Sequence, residues 1–168
     1  PPPNSLRHWR DGYHLFSESI RKNIKHAGAL RIDHVMRFFR LFWIPAGHDA
    51  TAGLYVKERA DDLVRILALE SVRNQVIVIG EDLGTVEPYI RKALTQYHVL
   101  SYRLLYFEKQ KDGQFKLPDS YPRPALASVS THDLPTLSGF WEGRDIQARR
   151  DAGVLPDQES LERQLRER

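Results

Sequence analysis

The chain has 168 residues, 41% of them hydrophobic and 28% charged, which fits a globular protein of about one domain with a sizeable core. The net charge of +3 is spread along the chain with acids interleaved, so no nucleic-acid-binding face is expected. No cysteine is present, which excludes disulfides and cysteine-based metal sites or nucleophiles. No apolar run approaches the ~18 residues of a membrane span, so no membrane partner and a cytoplasmic location are the expectation.

Residues 1–12 are proline-rich and polar and read as a connection. Residues 14–26 predict a helix, with Phe16, Ile20, Ile24 and Ala27 on one face and Gly28 as its stop before a strand at 29–33. Residues 35–56 are dense in aromatics and then broken by Pro45, Gly47 and Gly53. They read as a strand-to-helix excursion above the strand ends. A second helix is predicted over 58–73, with Ala60, Leu63, Val64, Leu67 and Val72 inward, followed by a strand at 76–80. Thr85 is a candidate cap for a third helix, whose face is Val86, Tyr89, Ile90, Ala93, Leu94 and Tyr97. A strand at 100–107, a polar loop at 109–124, a strand at 125–130, a short helix from Pro135 to Trp141 and a helical tail complete the order. Strands alternating with helices predict a parallel α/β sheet with right-handed crossovers.

Three of these strands end abruptly in acids and histidine. They are Ala29-Leu30-Arg31-Ile32-Asp33-His34, Val76-Ile77-Val78-Ile79-Gly80-Glu81-Asp82, and Leu126-Ala127-Ser128-Val129-Ser130-Thr131-His132-Asp133. The C-terminal ends of parallel strands are where α/β folds build active sites. One acidic site assembled from Asp33, Glu81 and Asp133 is therefore expected. Two chemistries suit such acids. A carboxylate pair about 5–5.5 Å apart performs retaining glycoside chemistry, one attacking the sugar carbon and the other protonating the departing oxygen. Alternatively, three His or carboxylate ligands hold zinc or magnesium for hydrolysis.

Local detail favours the first. Side-chain alternation puts Arg31 and Asp33 on one face, and a guanidinium keeps a carboxylate ionised and oriented. Beside a metal it would add repulsion. Phe42 and Trp43 supply flat apolar surface suited to sugar stacking. Plainer roles exist for several of these residues. Asp82 could orient the turn at Gly84, His34 could be a packed histidine, and Trp43 and Trp141 could be core. His14, His26, His48 and His98 read as surface or boundary residues.

The segments Leu30-Arg31-Ile32-Asp33-His34-Val35-Met36, Ile79-Gly80-Glu81-Asp82-Leu83-Gly84-Thr85-Val86 and Ser130-Thr131-His132-Asp133-Leu134-Pro135-Thr136-Leu137 closely resemble the 4-α-glucanotransferases, or amylomaltases, relatives of the α-amylases. The motifs stand in family order, 48 residues (81 minus 33) and 52 residues (133 minus 81) apart. The resemblance implies Asp33 as nucleophile, Arg31 as the residue that orients it, Glu81 as general acid/base, Asp133 as the third carboxylate and His132 as its sugar-binding neighbour. It implies a maltodextrin or α-1,4-glucan substrate, no cofactor and no metal. The implied fold is part of an α-amylase-like (β/α)8 barrel, with residues 1–168 belonging to one catalytic domain and no second domain. An amylase-like or debranching hydrolase and a metal-dependent barrel hydrolase are the alternatives. Arg37 stands where the family usually has glycine. A full barrel takes typically about 250 residues, so the chain reads as a piece of one. Open sheet edges would then favour self-association, and the isolated piece would be inactive.

Overall fold

The computed structural model describes residues 3–155 and 157–166. They form two compact units. The first runs to Tyr102 and includes Arg123–Leu126; the second holds Arg103–Pro122 and the described residues from Ala127 onward.

In the first unit, short helix α1 (Ser5–Arg10) and helix α2 (His14–Ile24) precede strand β1 (Ala29–Ile32). A 3-10 turn over Val35–Phe38 leads into an antiparallel hairpin, β2 (Arg40–Trp43) with β3 (Leu54–Lys57). Helix α3 (Ala60–Asn74), strand β4 (Ile77–Gly80), helix α4 (Pro88–Gln96) and strand β5 (Leu100–Leu104) follow. Strand β6 (Ala125–Ser128) completes a sheet of order β1-β4-β5-β6. β1 pairs in parallel with β4, and β4 in parallel with β5.

The parallel β-α-β order expected from the sequence is therefore present, with several local differences. Residues 35–56 hold a 3-10 turn and most of a hairpin rather than a strand-to-helix excursion. Residues 5–10 are helical because the Asn4 side chain accepts a hydrogen bond from the Arg7 N–H and caps the turn. The third helix starts at Pro88 rather than after Thr85, since proline preorganises the first helical position.

Helix α3 shows how the pattern works. Asp61 and Asp62 sit in its first turn and Arg73 in its last, each sign matched to the helix dipole. Leu63, Val64 and Leu67 are buried on one stripe. Val72, expected inward, is exposed; the stripe continues instead through Glu70, whose carboxylate is buried against Arg21 and Arg73. These residues pack with Ile20 and Ile24 of α2, Val78 of β4, Ile90 and Leu94 of α4, and Val35, Phe38 and Phe39 from the turn after β1. Phe16 meets Phe38 edge-on at 5.3 Å.

The second unit contains helices α5 (Leu137–Trp141), α6 (Arg144–Asp151) and α7 (Gln158–Arg166). Tyr106 stacks on Phe140 with ring centroids 3.9 Å apart. Ile146 is buried, whereas Trp141 is exposed rather than core. No helix among the described residues is long and apolar enough to cross a membrane.

Candidate active site

Two acids emerge side by side where β1 and β4 end. The parallel register pairs Arg31 with Ile79 and Ile32 with Gly80, so Asp33 and Glu81 are each the first residue beyond a paired strand end. The pairing does not stop there. The Glu81 N–H donates to the Ile32 carbonyl at 2.9 Å, and the Val35 N–H donates to the Glu81 carbonyl at 3.1 Å. Between these two bonds the chain turns through His34, which adopts a left-handed conformation (φ 46°). Histidine is among the non-glycine residues that tolerate that region.

This turn aims the His34 N–H at the Glu81 side chain. The Glu81 Oε2 accepts from it at 2.9 Å, and the Oε1 accepts from the Leu83 N–H at 2.8 Å. Glu81 is 9% exposed, so the two backbone donors fix a nearly buried carboxylate in one orientation. Each oxygen keeps a second lone pair, on which a proton can be carried.

Asp33 differs in setting. Its side chain is 73% exposed, and the Arg31 Nη1 lies 2.8 Å from its Oδ1. The two residues share a face, as strand alternation requires. The Arg31 guanidinium lies over the ring of buried Tyr102 on β5, 5.3 Å from its centroid. One cation thus rests on an aromatic floor and reaches a carboxylate held out toward solvent.

Arg31, Ile32, Asp33 and Arg37 line an open cleft of about 560 Å³ together with Phe16 and Phe38. Arg37, in the position where glycine was anticipated, is exposed and borders this cleft without entering the core. Next to it is Glu58, whose carboxyl burial raises above the usual carboxylate range while His8 and Arg37 pull it back. Phe42 and Tyr55 of the β2-β3 hairpin meet edge-on at 5.1 Å, both exposed, and the Arg40 guanidinium lies over Tyr55.

In the second unit, His132 and Asp133 are neighbours in space as well as in sequence. The His132 Nε2 is 3.2 Å from the Asp133 Oδ2, and both side chains are exposed. β6 ends at Ser128, so Asp133 stands in the turn beyond the strand rather than at its last position. That turn is held by the Thr131 hydroxyl, which accepts from the Asp133 N–H, and by the Ser130 hydroxyl, which donates to the Pro135 carbonyl. The described residues contain no cluster of three or more His, Asp or Glu side chains arranged to hold a metal ion.

Asp82 was the residue whose placement the sequence left least legible. It is buried, and its side chain does not turn toward Gly84. It accepts hydrogen bonds from Arg91 of α4 and from Ser101 and Tyr102 of β5. The strand-like alternation of 81 and 82 was the available signal: neighbouring residues face opposite ways.

Parallel strands alternating with helices, with acids just beyond the paired ends of β1 and β4, match a portion of an α/β barrel. The family model described as 4-alpha-glucanotransferase matches residues 1–168, and the chain belongs to that family. It is 44% identical over 155 residues to the 4-alpha-glucanotransferase of Haemophilus influenzae, covering 92% of this chain and 22% of that protein. It is 40% identical over 162 residues to that of Mycobacterium tuberculosis, covering 92% and 22%. The crystal structure of amylomaltase from Corynebacterium glutamicum superposes with a TM-score of 0.88 at 37% identity, over 96% of this chain and 23% of that one. The chain therefore spans less than a quarter of the length of these relatives. The amylomaltase of Streptococcus agalactiae, solved with acarbose, shares the fold with a TM-score of 0.73 at 20% identity, over 97% of this chain and 34% of that one.

Proposed function

We propose that residues 1–168 are part of one catalytic barrel domain of an enzyme that moves α-1,4-glucan segments between maltodextrins with retention. Asp33 is the nucleophile and attacks the anomeric carbon. Glu81 gives its proton to the departing 4-oxygen as that carbon–oxygen bond breaks, leaving a glycosyl ester on Asp33. The 4-hydroxyl of an acceptor sugar then enters, Glu81 takes its proton, and the new glycosidic bond displaces Asp33. Two inversions give net retention. Arg31 holds the Asp33 carboxylate in register for attack. Asp133 is the third carboxylate, binding sugar hydroxyls and stabilising the transition state, with His132 beside it. The exposed rings of Phe42 and Tyr55 offer stacking surface to the glucan.

The observation that supports this reading most directly is the asymmetry of the adjacent strand ends. Asp33 is exposed and paired with a guanidinium, while Glu81 is nearly buried and fixed by two backbone N–H groups. A nucleophile must be ionised and accessible; an acid/base group needs a fixed orientation toward the scissile oxygen.

The test uses the complete enzyme containing this segment and maltotriose as sole substrate. Glucose together with longer maltodextrins is the expected product set, and Asp33→Ala should abolish both. Glucose and maltose without longer products would assign the protein to the hydrolases. Loss of activity on chelation would assign it to the metal-dependent class. An Asp33→Ala enzyme that still transfers would overturn the nucleophile assignment.

A further inference from the structure

The geometry points to Asp82 as the positioning residue of the candidate acid/base Glu81: a buried carboxylate that anchors the end of β4 to β5 and α4 and so sets where Glu81 is held. This inference rests on the reading of Glu81 given above.

The side chain of Asp82 is 2% exposed in a chain segment only one residue from a solvent-facing site. A buried carboxylate without partners would be strongly unfavourable. Here its donors come from two other elements. The Arg91 Nη1 donates at 2.6 Å to Oδ2, and the Tyr102 N–H donates at 2.9 Å to Oδ1. The Ser101 hydroxyl lies 2.8 Å from Oδ1 and 2.7 Å from Oδ2. Arg91 also reaches the Asp82 carbonyl, at 3.3 Å. Both oxygens and the backbone of residue 82 are thereby held.

Where the paired strand ends gives the network its purpose. The β4–β5 register pairs Ile79 with Leu100 and Gly80 with Ser101. Beyond Gly80 the Asp82 side chain continues the work of the ladder, accepting from the next N–H of β5, that of Tyr102. On the opposite side, Glu81 is tied through its own N–H and carbonyl to β1 and the turn after it. The dipeptide Glu81-Asp82 is thus clamped from both neighbouring strands. Removing the Asp82 clamp leaves Glu81 fixed from the β1 side alone. A charge-assisted bond to Arg91 is stronger than a neutral one, so the carboxylate, not merely a polar group of its size, is what this site needs.

The experiment compares Asp82→Asn, Ser101→Ala and Glu81→Gln in the complete enzyme, using two donors: maltotriose, which needs leaving-group protonation, and α-maltosyl fluoride, which does not. Glu70→Gln, at the buried ion pair of α2 and α3, serves as the stability-matched control. Read as kcat/KM, which reports the glycosylation half-reaction and not the base-assisted second step that both donors share, Glu81→Gln should lose far more on maltotriose than on the fluoride; equal losses would overturn the acid/base reading itself, whatever Asp82 does. With that reading intact, Asp82→Asn should lower kcat/KM on maltotriose by about 10²-fold, the cost of a misplacement near 1 Å. The loss of kcat/KM on the fluoride should be markedly smaller. Ser101→Ala should show the same donor dependence at smaller amplitude, and it decides the matter if Asp82→Asn does not fold. Glu70→Gln should lower the melting temperature without any donor dependence. Equal losses on both donors in Asp82→Asn, or in Ser101→Ala where only that variant folds, would reduce Asp82 to a structural residue and overturn the inference.

Discussion

Replacing Arg31 separates what its ion pair does for folding from what it does for the reaction. The pair with Asp33 is short, but the carboxylate side chain is 73% exposed, so water screens the attraction. Exposed pairs of this kind contribute about 0.2–1 kcal/mol. The guanidinium over the Tyr102 ring adds about 0.5–1 kcal/mol. Arg31→Ala should therefore destabilise the protein by only about 1–2 kcal/mol. The kinetic effect should be larger. Without Arg31, Asp33 has no other ion-pair partner among the described residues to fix its rotamer, and the proposed nucleophile, displaced by about 1 Å, would lose about 10²-fold in rate. That factor equals about 2.7 kcal/mol of barrel-site transition-state stabilisation. Arg31→Lys keeps the charge but not the planar fork that stacks on Tyr102 and reaches Asp33 together, so it should restore stability better than rate. The assay is kcat for maltotriose disproportionation by the complete enzyme, alongside a thermal melt of each variant. A kcat for Arg31→Ala within about twofold of the parent, which is under 0.5 kcal/mol in barrier, would refute the orienting role. So would full recovery of rate in Arg31→Lys.

Two further outcomes concern packing and burial. A methyl group at Gly80 would sit 3.1 Å from Cγ1 of both Val35 and Val99, so Gly80→Ala should cost about 1–3 kcal/mol in stability and displace the adjacent Glu81. A lower melting temperature together with reduced kcat checks this, and a variant indistinguishable from the parent in both would show that the strand end is not tightly packed. The Arg21 hydrogen bonds hold the Glu70 carboxyl below the usual carboxylate range, against the opposing effect of burial. Its contribution is fully present above the unfolded value of about 4.3 and is lost as pH falls through the lower folded value. Melting temperatures of the parent and of Glu70→Gln should then converge as the solution is acidified below that point; a gap that stays constant down to the acid limit would contradict it.

How much of this was legible in the sequence depended on whether the deciding interaction was local. β1 and β4 were legible because each is a short apolar run closed by an acid, although only in β4 is most of that run buried. The pairing of Arg31 with Asp33 was legible because alternation puts residues two apart on one face. The hairpin was not. Its strands are joined by the ten residues 44–53, and no two-residue turn signal announces the pairing of Arg40 with Lys57. The burial of Glu70 was illegible for a different reason: its partner Arg21 lies on another helix, so helical periodicity alone replaced it with the apolar Val72.

The neighbouring acids Glu81 and Asp82 carry that contrast into the site. In sequence they are one acidic dipeptide after an apolar run; alternation says that they face opposite ways but not what holds either of them. Their difference arises only when two other strands arrive. β1 and its turn bring the His34 N–H to Glu81, while β5 brings Ser101 and the Tyr102 N–H to Asp82. The chemistry proposed for Glu81 needs a carboxylate whose orientation is fixed although its surroundings include solvent-facing groups. A single strand end cannot supply that rigidity, because its own ladder has just run out. Parallel neighbours can, by lending donors from both sides after the regular pairing has ended. A strand-end acid followed by a second acid is thus informative beyond its charge: here the first is held from the β1 side and the second from β5 and α4.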